Sequence, residues 1–377
     1  MGIGDVLIQP LELTLCLTHN CNLRCRYCYA GRKHAACMSW ETARAAMDLC
    51  VAEAKRLELP LDVSFFGGEP LLEWELLQRC HAYMDERRGE MCMPPRYGIT
   101  TNCTLLTPEK LAWMAERDFL VGVSVDGSPA MHDINRRFAD GTGSHAALQP
   151  ALQEIRKYPN LRTKAVCVVN AANCHLLAEG VAWLHEHYDH GFGLNLDYWH
   201  EWTDEQFDVL CAQLELVKEM VLESYRGGVR PVKLENFEDK IRTHLNGDTC
   251  AQCRIGEREI AVSAEGNFFP CSRLVGEGNS DFFNFGNVRE GINRARQNYL
   301  IATRGNNTPE CKLCALRSRC MNGCGCSNYA ASGHIDRVSP FLCSAERMFI
   351  RLADELAEAL YAERNALFMQ EFYGGEK

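Results

Sequence analysis

Six short apolar runs alternate with helical patterns over the first 200 of the 377 residues, and this alternation restricts the fold more than any other feature. Runs at 12–16, 61–66, 97–101, 119–125, 163–169 and 192–198 read as strands. Ser39 is placed to N-cap a helix with Ala43, Met47, Val51 and Ala54 on one face. Leu72, Leu76, Cys80 and Tyr83 mark a second helix. Thr107 and Pro108 form an N-cap and N1 pair opening a third, which runs through Trp113. Further helices are expected around 145–157 and 174–187. Strand followed by helix, repeated six times, implies an α/β fold with parallel strands and right-handed crossovers. An open doubly wound sheet and a complete or partial (β/α) barrel both satisfy the pattern. Either one gathers its chemistry at the carboxyl ends of the strands. Two helices are expected within 203–246. A last helix is expected from about Ser344 to Met369, with Phe349, Leu352, Leu356 and Leu360 on one stripe.

No run of 18 apolar residues is present, and the opening "MGIGDVLIQP" lacks the basic start and apolar core of an export signal. The chain reads as soluble and cytoplasmic, with no membrane partner. A net charge of −10 argues against a generic nucleic-acid binder. Cysteine is the excess that informs: 21 residues, an odd number, without an export signal, favours metal or cluster ligation over disulfides. Cys16, Cys37, Cys50, Cys80, Cys92, Cys167, Cys174 and Cys211 are scattered and read as small buried hydrophobes. The remaining thiols, Cys103 apart, are grouped.

"CNLRCRYC" (21–28) falls in the loop after the first strand. Its thiolates Cys21, Cys25 and Cys28 can hold three corners of a cubane iron–sulfur cluster, leaving one iron open to a small molecule. A zinc site completed by His19 is the alternative. "FFGGEP" (65–70) ends the second strand; Gly67 and Gly68 bare their backbone, and Glu69 can accept from an ammonium. An ordinary turn is the plain alternative. In "SVDGSPAMHDINRR" (124–137), Ser124 and Asp126 can bond ribose or carboxylate groups and Arg136 or Arg137 can pair with a carboxylate. A turn at Asp126–Gly127 with solvated arginines is the alternative. From Cys250 to Cys343 few long apolar runs remain, so bound metal is expected to hold this segment together. Twelve residues separate Cys253 from Gly266, and four separate Gly266 from Cys271. Cys311, Cys314, Cys320 and Cys324 follow with gaps of two, five and three, and Cys343 comes eighteen residues later.

The Cys21–Cys25–Cys28 triplet, with Tyr27 before its last cysteine, resembles the signature of the radical S-adenosylmethionine (SAM) enzymes. "GGE" resembles that family's SAM-amino motif, and the 124–137 stretch resembles a segment of radical SAM peptide modifiers. Cys103 in "TTNC" stands where related chains carry glycine. The distal cysteines resemble the SPASM domain of peptide and protein maturases, which include the anaerobic sulfatase-maturating enzymes. The resemblance implies a partial (β/α)6 TIM-like barrel at 1–202, a helical bridge at 203–249, a SPASM domain at 250–343 and a C-terminal helix at 344–377. It implies three [4Fe-4S] clusters and SAM. Cys21, Cys25 and Cys28 would hold the SAM-binding cluster. Cys311, Cys314, Cys320 and Cys343 would hold an outer cluster. Cys253, Cys271 and Cys324 would hold an inner one, with Cys250 as fourth ligand and Cys326 as a competing thiol set aside. Tyr27, Gly67, Gly68, Glu69, Ser124, Asp126 and Arg136 would surround SAM. The implied activity is a radical SAM oxidoreductase that crosslinks a ribosomally made peptide or protein through thioether or carbon bonds. A reductant such as flavodoxin or ferredoxin would feed it. Twenty residues before Cys21 are too few for a leader-binding domain, which suggests a separate leader-binding partner or direct reading of the substrate. Sulfatase maturation by formylglycine formation is the alternative activity, and a non-catalytic iron–sulfur electron carrier is the alternative of another class. Ser272 and Arg273 occupy the place where sulfatase maturases carry an aspartate suspected of taking the proton, and neither is a comparable base.

Overall fold

Residues 9–374, except 32, 248–252, 277–279, 305–307 and 322, are described by a computed structural model. The six expected strands form as β1 (Leu11–Thr18), β2 (Leu61–Gly67), β3 (Arg96–Thr101), β4 (Leu120–Ser124), β5 (Arg162–Val169) and β6 (Phe192–Leu196). They pair in parallel in the order β6-β5-β4-β3-β2-β1. A doubly wound sheet reverses its strand order partway. Here every crossover advances the same way, and right-handed crossovers then put all the helices on one face. The other face curls inward, so the strand order selects the partial barrel. At the far edge β6 meets only a single bridge from Phe192 to Leu234, so among the described residues the barrel stays open.

The helices between these strands are α1 (Trp40–Leu57), α2 (Trp74–Glu86), α3 (Pro108–Ala115), α4 (Pro129–Asn135), α5 (His145–Ile155) and α6 (Leu177–His187). Ser39 caps α1 by accepting from Thr42 N at 3.1 Å, and Thr107 caps α3 ahead of Pro108. Helix α4 was not expected; Ser128 caps it and Pro129 opens it, both turn-forming residues that mask a seven-residue helix. The bridge forms α7 (Asp204–Arg226) and α8 (Glu235–Asn246). The single C-terminal helix is instead two, separated at Arg364, where φ is 49°, and restarted by an Asn365 cap on Phe368 N.

The cysteine-rich segment departs most from expectation. Its first part is not poor in core. β7 (Glu259–Val262) pairs in parallel with β1, and β8 (Phe268–Phe269) returns antiparallel, so the sheet gains two strands with Ile260, Ala261, Val262, Phe268 and Phe269 all buried. A small ribbon, β9 (Gly286–Asn287) with β10 (Gly291–Ile292), follows. Short helices α9 (Ser280–Phe283), α10 (Arg294–Thr303), α11 (Pro309–Lys312) and α12 (Gly325–Ser332) complete the segment before α13 (Pro340–Ala362) and α14 (Ala366–Tyr373). Among the described residues no helix is long and apolar enough to cross a membrane.

A buried polar knot fastens this segment to the bridge. Lys240 of α8 donates to Glu346 Oε2 of α13 at 2.8 Å and to Arg319 O at 2.7 Å, with both side chains of the ion pair about 5% exposed. Arg319 returns a bond to Lys240 O and forks onto Asp354. Removing one partner strands the other charge in the interior. Lys240→Ala should therefore lower stability by about 3–5 kcal/mol, whereas the double change Lys240→Met, Glu346→Leu should cost much less. Urea-unfolding midpoints of the two variants check this.

Candidate functional site

The cysteine loop leaves β1 at Thr18, whose hydroxyl donates to Ala36 O and accepts from Asn20 N. The 135–138 stretch straps the loop from the other side through Arg24 N to Arg137 O (2.6 Å) and Arg26 N to Asn135 O (3.0 Å). Cys21, Cys25 and Cys28 all line one cavity of about 360 Å³ at the carboxyl ends of the strands. Two of the sulfurs meet donors suited to thiolate: Leu23 N lies 3.3 Å and Asn102 Nδ2 3.8 Å from Cys21 Sγ, and Lys33 Nζ lies 2.9 Å from Cys28 Sγ. Three thiols on one cavity, two of them beside N–H or ammonium donors, suit an anionic iron–sulfur cluster.

Gly67 and Gly68 border the same cavity, but packing requires them first. A Cβ on Gly68 would sit 2.0 Å from Asn20 O, and one on Gly67 2.4 Å from Thr18 O. Only bare backbone lets the end of β2 lie against the start of the cysteine loop, where Gly68 N bonds Thr18 O at 2.7 Å and Glu69 N bonds Asn20 O at 2.9 Å. Glu69 is buried at the cavity wall. Its Oε1 accepts from Leu71 N and Thr101 Oγ1, and its Oε2 from Asn102 N at 2.8 Å. Three of about four lone-pair sites are thus taken, and one on Oε2 is left to a further donor. Burial raises its pKa while these three donors pull it down.

Ser124 and Arg136 line the cavity as expected, but Asp126 does not. It is fully buried behind the wall, accepting from Tyr27 Oη at 2.5 Å, from Val168 N at 2.9 Å and from the Arg136 guanidinium at 3.0 Å. Arg136 also lies over the Tyr27 ring, 5.3 Å from its centroid. The carboxylate of Asp126 thus faces partners inside the protein and not the cavity, unlike the direct contact expected of it. His132 is buried too: its Nδ1 accepts from Asp126 N, so its Nε2 carries the proton toward Ser144 Oγ. Cys103 adopts φ 62°, a left-handed conformation natural to glycine.

The same cavity is also lined by Asn195–Trp199, Cys271, Ser272, Arg273 and Ser327. Asp197 is buried, bonding Trp199 N at 2.9 Å and His200 Nδ1 at 2.7 Å. Ser272 N donates to Glu259 Oε1 at 2.8 Å, and Glu259 is not among the lining residues. Arg273 has no ion pair among the described residues, and burial lowers its pKa less than the neighbouring Cys326, Tyr29 and Cys324 raise it. Sequence reasoning noted Arg273 only as a poor base. Lys33, Asn102 and Asp197 gave no sequence signal beyond lying near motifs.

Cys253, Cys271 and Cys324 come together as expected, and Cys326 joins them. Cys253 is hydrogen-bonded to Cys324, Cys324 Sγ lies 3.5 Å from Cys326 Sγ, and Cys326 is hydrogen-bonded to Cys271. Cys250 lies outside the described residues. Cys311, Cys314, Cys320 and Cys343 line a second, small cavity with Leu316, Val338 and Ile350. Both groups are all-sulfur donor sets, which fit iron–sulfur clusters.

Residues 15–169 match the family model of the radical SAM superfamily. An uncharacterised protein of Methanocaldococcus jannaschii is 31% identical over 173 residues, which span 46% of this chain and 58% of that protein. A cysteine-type anaerobic sulfatase-maturating enzyme of Clostridium perfringens is 24% identical over 349 residues, covering 85% of this chain and 88% of the enzyme. The solved structure of anSMEcpe with bound AdoMet and Cp18Cys peptide shares the fold, with a TM-score of 0.76 at 20% identity over 94% of this chain and 99% of that one.

The packing at Gly68 is directly testable. Gly68→Ala should cost about 1–3 kcal/mol by overpacking. Gly89→Ala, whose added Cβ would meet nothing within 4 Å, should leave the melting temperature unchanged.

Proposed function

The chain carries a radical SAM domain and is homologous to the anaerobic sulfatase-maturating enzymes; on that premise we propose that it modifies a ribosomally made peptide or protein by SAM-dependent radical chemistry, forming a thioether or carbon crosslink. One observation carries the reading: a single cavity is lined both by Cys21, Cys25 and Cys28 and by Cys271, Ser272 and Arg273. A substrate held there touches both cysteine systems. An electron carrier has no use for such a chamber.

A cluster held by Cys21, Cys25 and Cys28 would supply the single electron that cleaves SAM to methionine and a 5′-deoxyadenosyl radical. The chain's own residues orient and shield. The remaining lone pair of Glu69 Oε2 takes the SAM ammonium, beside the backbone of Gly67 and Gly68. Ser124 and Arg136 face the ribose and carboxylate, with Arg136 fixed by Asp126 and Tyr27. Cys253, Cys271 and Cys324 hold the inner auxiliary cluster, with Cys326 or Cys250 as fourth ligand, and Cys311, Cys314, Cys320 and Cys343 hold the outer one. Three [4Fe-4S] clusters result. The large side chains of Leu196, Tyr198 and Trp199 shield the reacting centre from water. The layout is a radical SAM domain at 1–202, a bridge at 203–249, a SPASM domain at 250–343 and a C-terminal helical part at 344–377. A flavodoxin or ferredoxin delivers electrons, and the substrate is either presented by a separate leader-binding partner or read directly at the barrel mouth.

Homology favours a second reading, oxidation of cysteine or serine to formylglycine. It needs a group to take a proton beside the inner cluster. Ser272 is a poor base near neutral pH and Arg273 cannot serve as one. The Glu259 carboxylate lies behind Ser272 and not on the cavity surface.

Two measurements bear on these readings. Replacing Cys21, Cys25 and Cys28 together by alanine should abolish 5′-deoxyadenosine formation while about eight irons stay bound in the auxiliary clusters. Continued 5′-deoxyadenosine formation would refute the role of the loop. A peptide with a Cys-x-Pro-x-Arg core, incubated anaerobically with SAM and reductant, should show no formylglycine by mass spectrometry. Conversion at the rate of SAM cleavage would promote the second reading to first.

A further inference from the structure

Outside the cavity, two histidines and a carboxylate converge on the surface of the cysteine loop. His19 Nε2 lies 3.7 Å from Glu265 Oε2, and His34 Nε2 lies 4.0 Å from Glu265 Oε1. The two imidazoles are stacked, with centroids 4.6 Å apart and planes 16° from parallel. One donor atom from each of the three residues lies within 4.8 Å of the other two. We propose that His19, His34 and Glu265 form a binding site for a borderline divalent cation of the zinc class, separate from the cysteine centres.

The donors are borne by backbone that is already fixed. His19 N donates to Ala36 O at 2.9 Å, and Thr18 and Cys37 form an antiparallel bridge, so the two ends of the cysteine loop run side by side and bring His19 next to His34. Glu265 sits in the tight turn between β7 and β8. There Ser263 N bonds Asn267 O and Gly266 N bonds Ser263 O, both at 2.9 Å. Gly266 has φ +89°, and a Cβ on it would meet Val288 at 2.7 Å, so this turn has little freedom to move. Two imidazoles and one carboxylate make a donor set that zinc takes with three protein ligands and an open fourth position. Imidazole also suits copper and nickel, whereas calcium and magnesium prefer all-oxygen sites. In a tetrahedral zinc site with bonds of about 2.0–2.1 Å, neighbouring donors stand about 3.3 Å apart. Small side-chain rotations bring the three donors to that spacing, because His34 and Glu265 are each about half exposed. A bound cation would staple the cysteine loop to the turn that leads into Cys271. In the sequence His19 stood as the fourth ligand of an alternative zinc site with the cysteine triplet; in the structure its neighbours are the Glu265 carboxylate and the His34 imidazole.

The experiment uses the protein with its iron–sulfur centres assembled anaerobically. Zinc sulfate is added, loose metal is removed by gel filtration, and zinc and iron are counted by mass spectrometry. The first zinc shell is read by absorption at the zinc K-edge. One zinc per chain is expected, with nitrogen and oxygen neighbours only. His34→Ala and Glu265→Gln should each weaken zinc binding at least tenfold with iron content unchanged, and zinc should raise the melting temperature of the parent but not of either variant. Sulfur in the first shell would overturn the proposal, as would no retained zinc or retention indifferent to both substitutions.

Discussion

The buried Asp126 carboxylate is the interaction on which the rest of the site depends. It gathers a phenol from the cysteine loop, a guanidinium from the end of α4 and a backbone N–H from β5. Each donor comes from a different part of the barrel. Without this anion, Arg136 would be a buried cation without its partner, and Tyr27 would lose the bond that sets the pitch of the loop around Cys25 and Cys28. A carboxylate removed from water is tolerable only when it is well hydrogen-bonded, and here three donors share Oδ1 and Oδ2. The cost of burying it is thereby converted into geometry for the residues that do face the cavity.

The second constraint is where the cysteine-rich segment attaches. It does not pack loosely beside the barrel; it extends the barrel's sheet at β1, with Leu13 facing Ile260 and Leu15 facing Val262. Since β1 also launches the cysteine loop, the two cysteine systems share one strand neighbour. Their relative position is set by hydrogen-bond register, which slips only in whole residues. That accounts for Cys271 reaching the cavity that Cys21, Cys25 and Cys28 line.

Some of this was legible because it is local. Ser39 and Thr107 act within three residues, and the caps found are the caps read from the chain. The strand–helix alternation was likewise visible, since burial on one face leaves a periodic trace. What the chain concealed depends on partners far away. Glu259–Val262 is four residues long, and only its pairing with β1 and β8 makes it a strand. Glu69 read as an acceptor, but that Leu71, Thr101 and Asn102 already occupy most of it could not be seen. Asp126 looked like a ligand contact because its burial is decided by Val168 and Arg136. Cys326 was read as a buried or hydrogen-bonded thiol that could compete as a ligand, and it is buried and bonded, but that α12 turns it toward Cys324 could not be seen. His19 could be judged only by its nearness in sequence to Cys21.

The pairing of β7 with β1 also has a consequence for how the chain is made. About 240 residues separate the end of β1 from the start of β7, and at roughly 5–20 residues per second a ribosome needs on the order of 12–48 s to add them. Throughout that interval β1 can find β2, but its other edge presents a row of unsatisfied N–H and C=O groups beside an apolar face. The nascent barrel is thus a half-finished sheet with an adhesive edge, and the long-range closure that ends this state is the slow kind of contact. Protection of that edge during synthesis, by the exit tunnel's surroundings or by a chaperone, becomes as much a requirement for a competent molecule as any residue in the cavity.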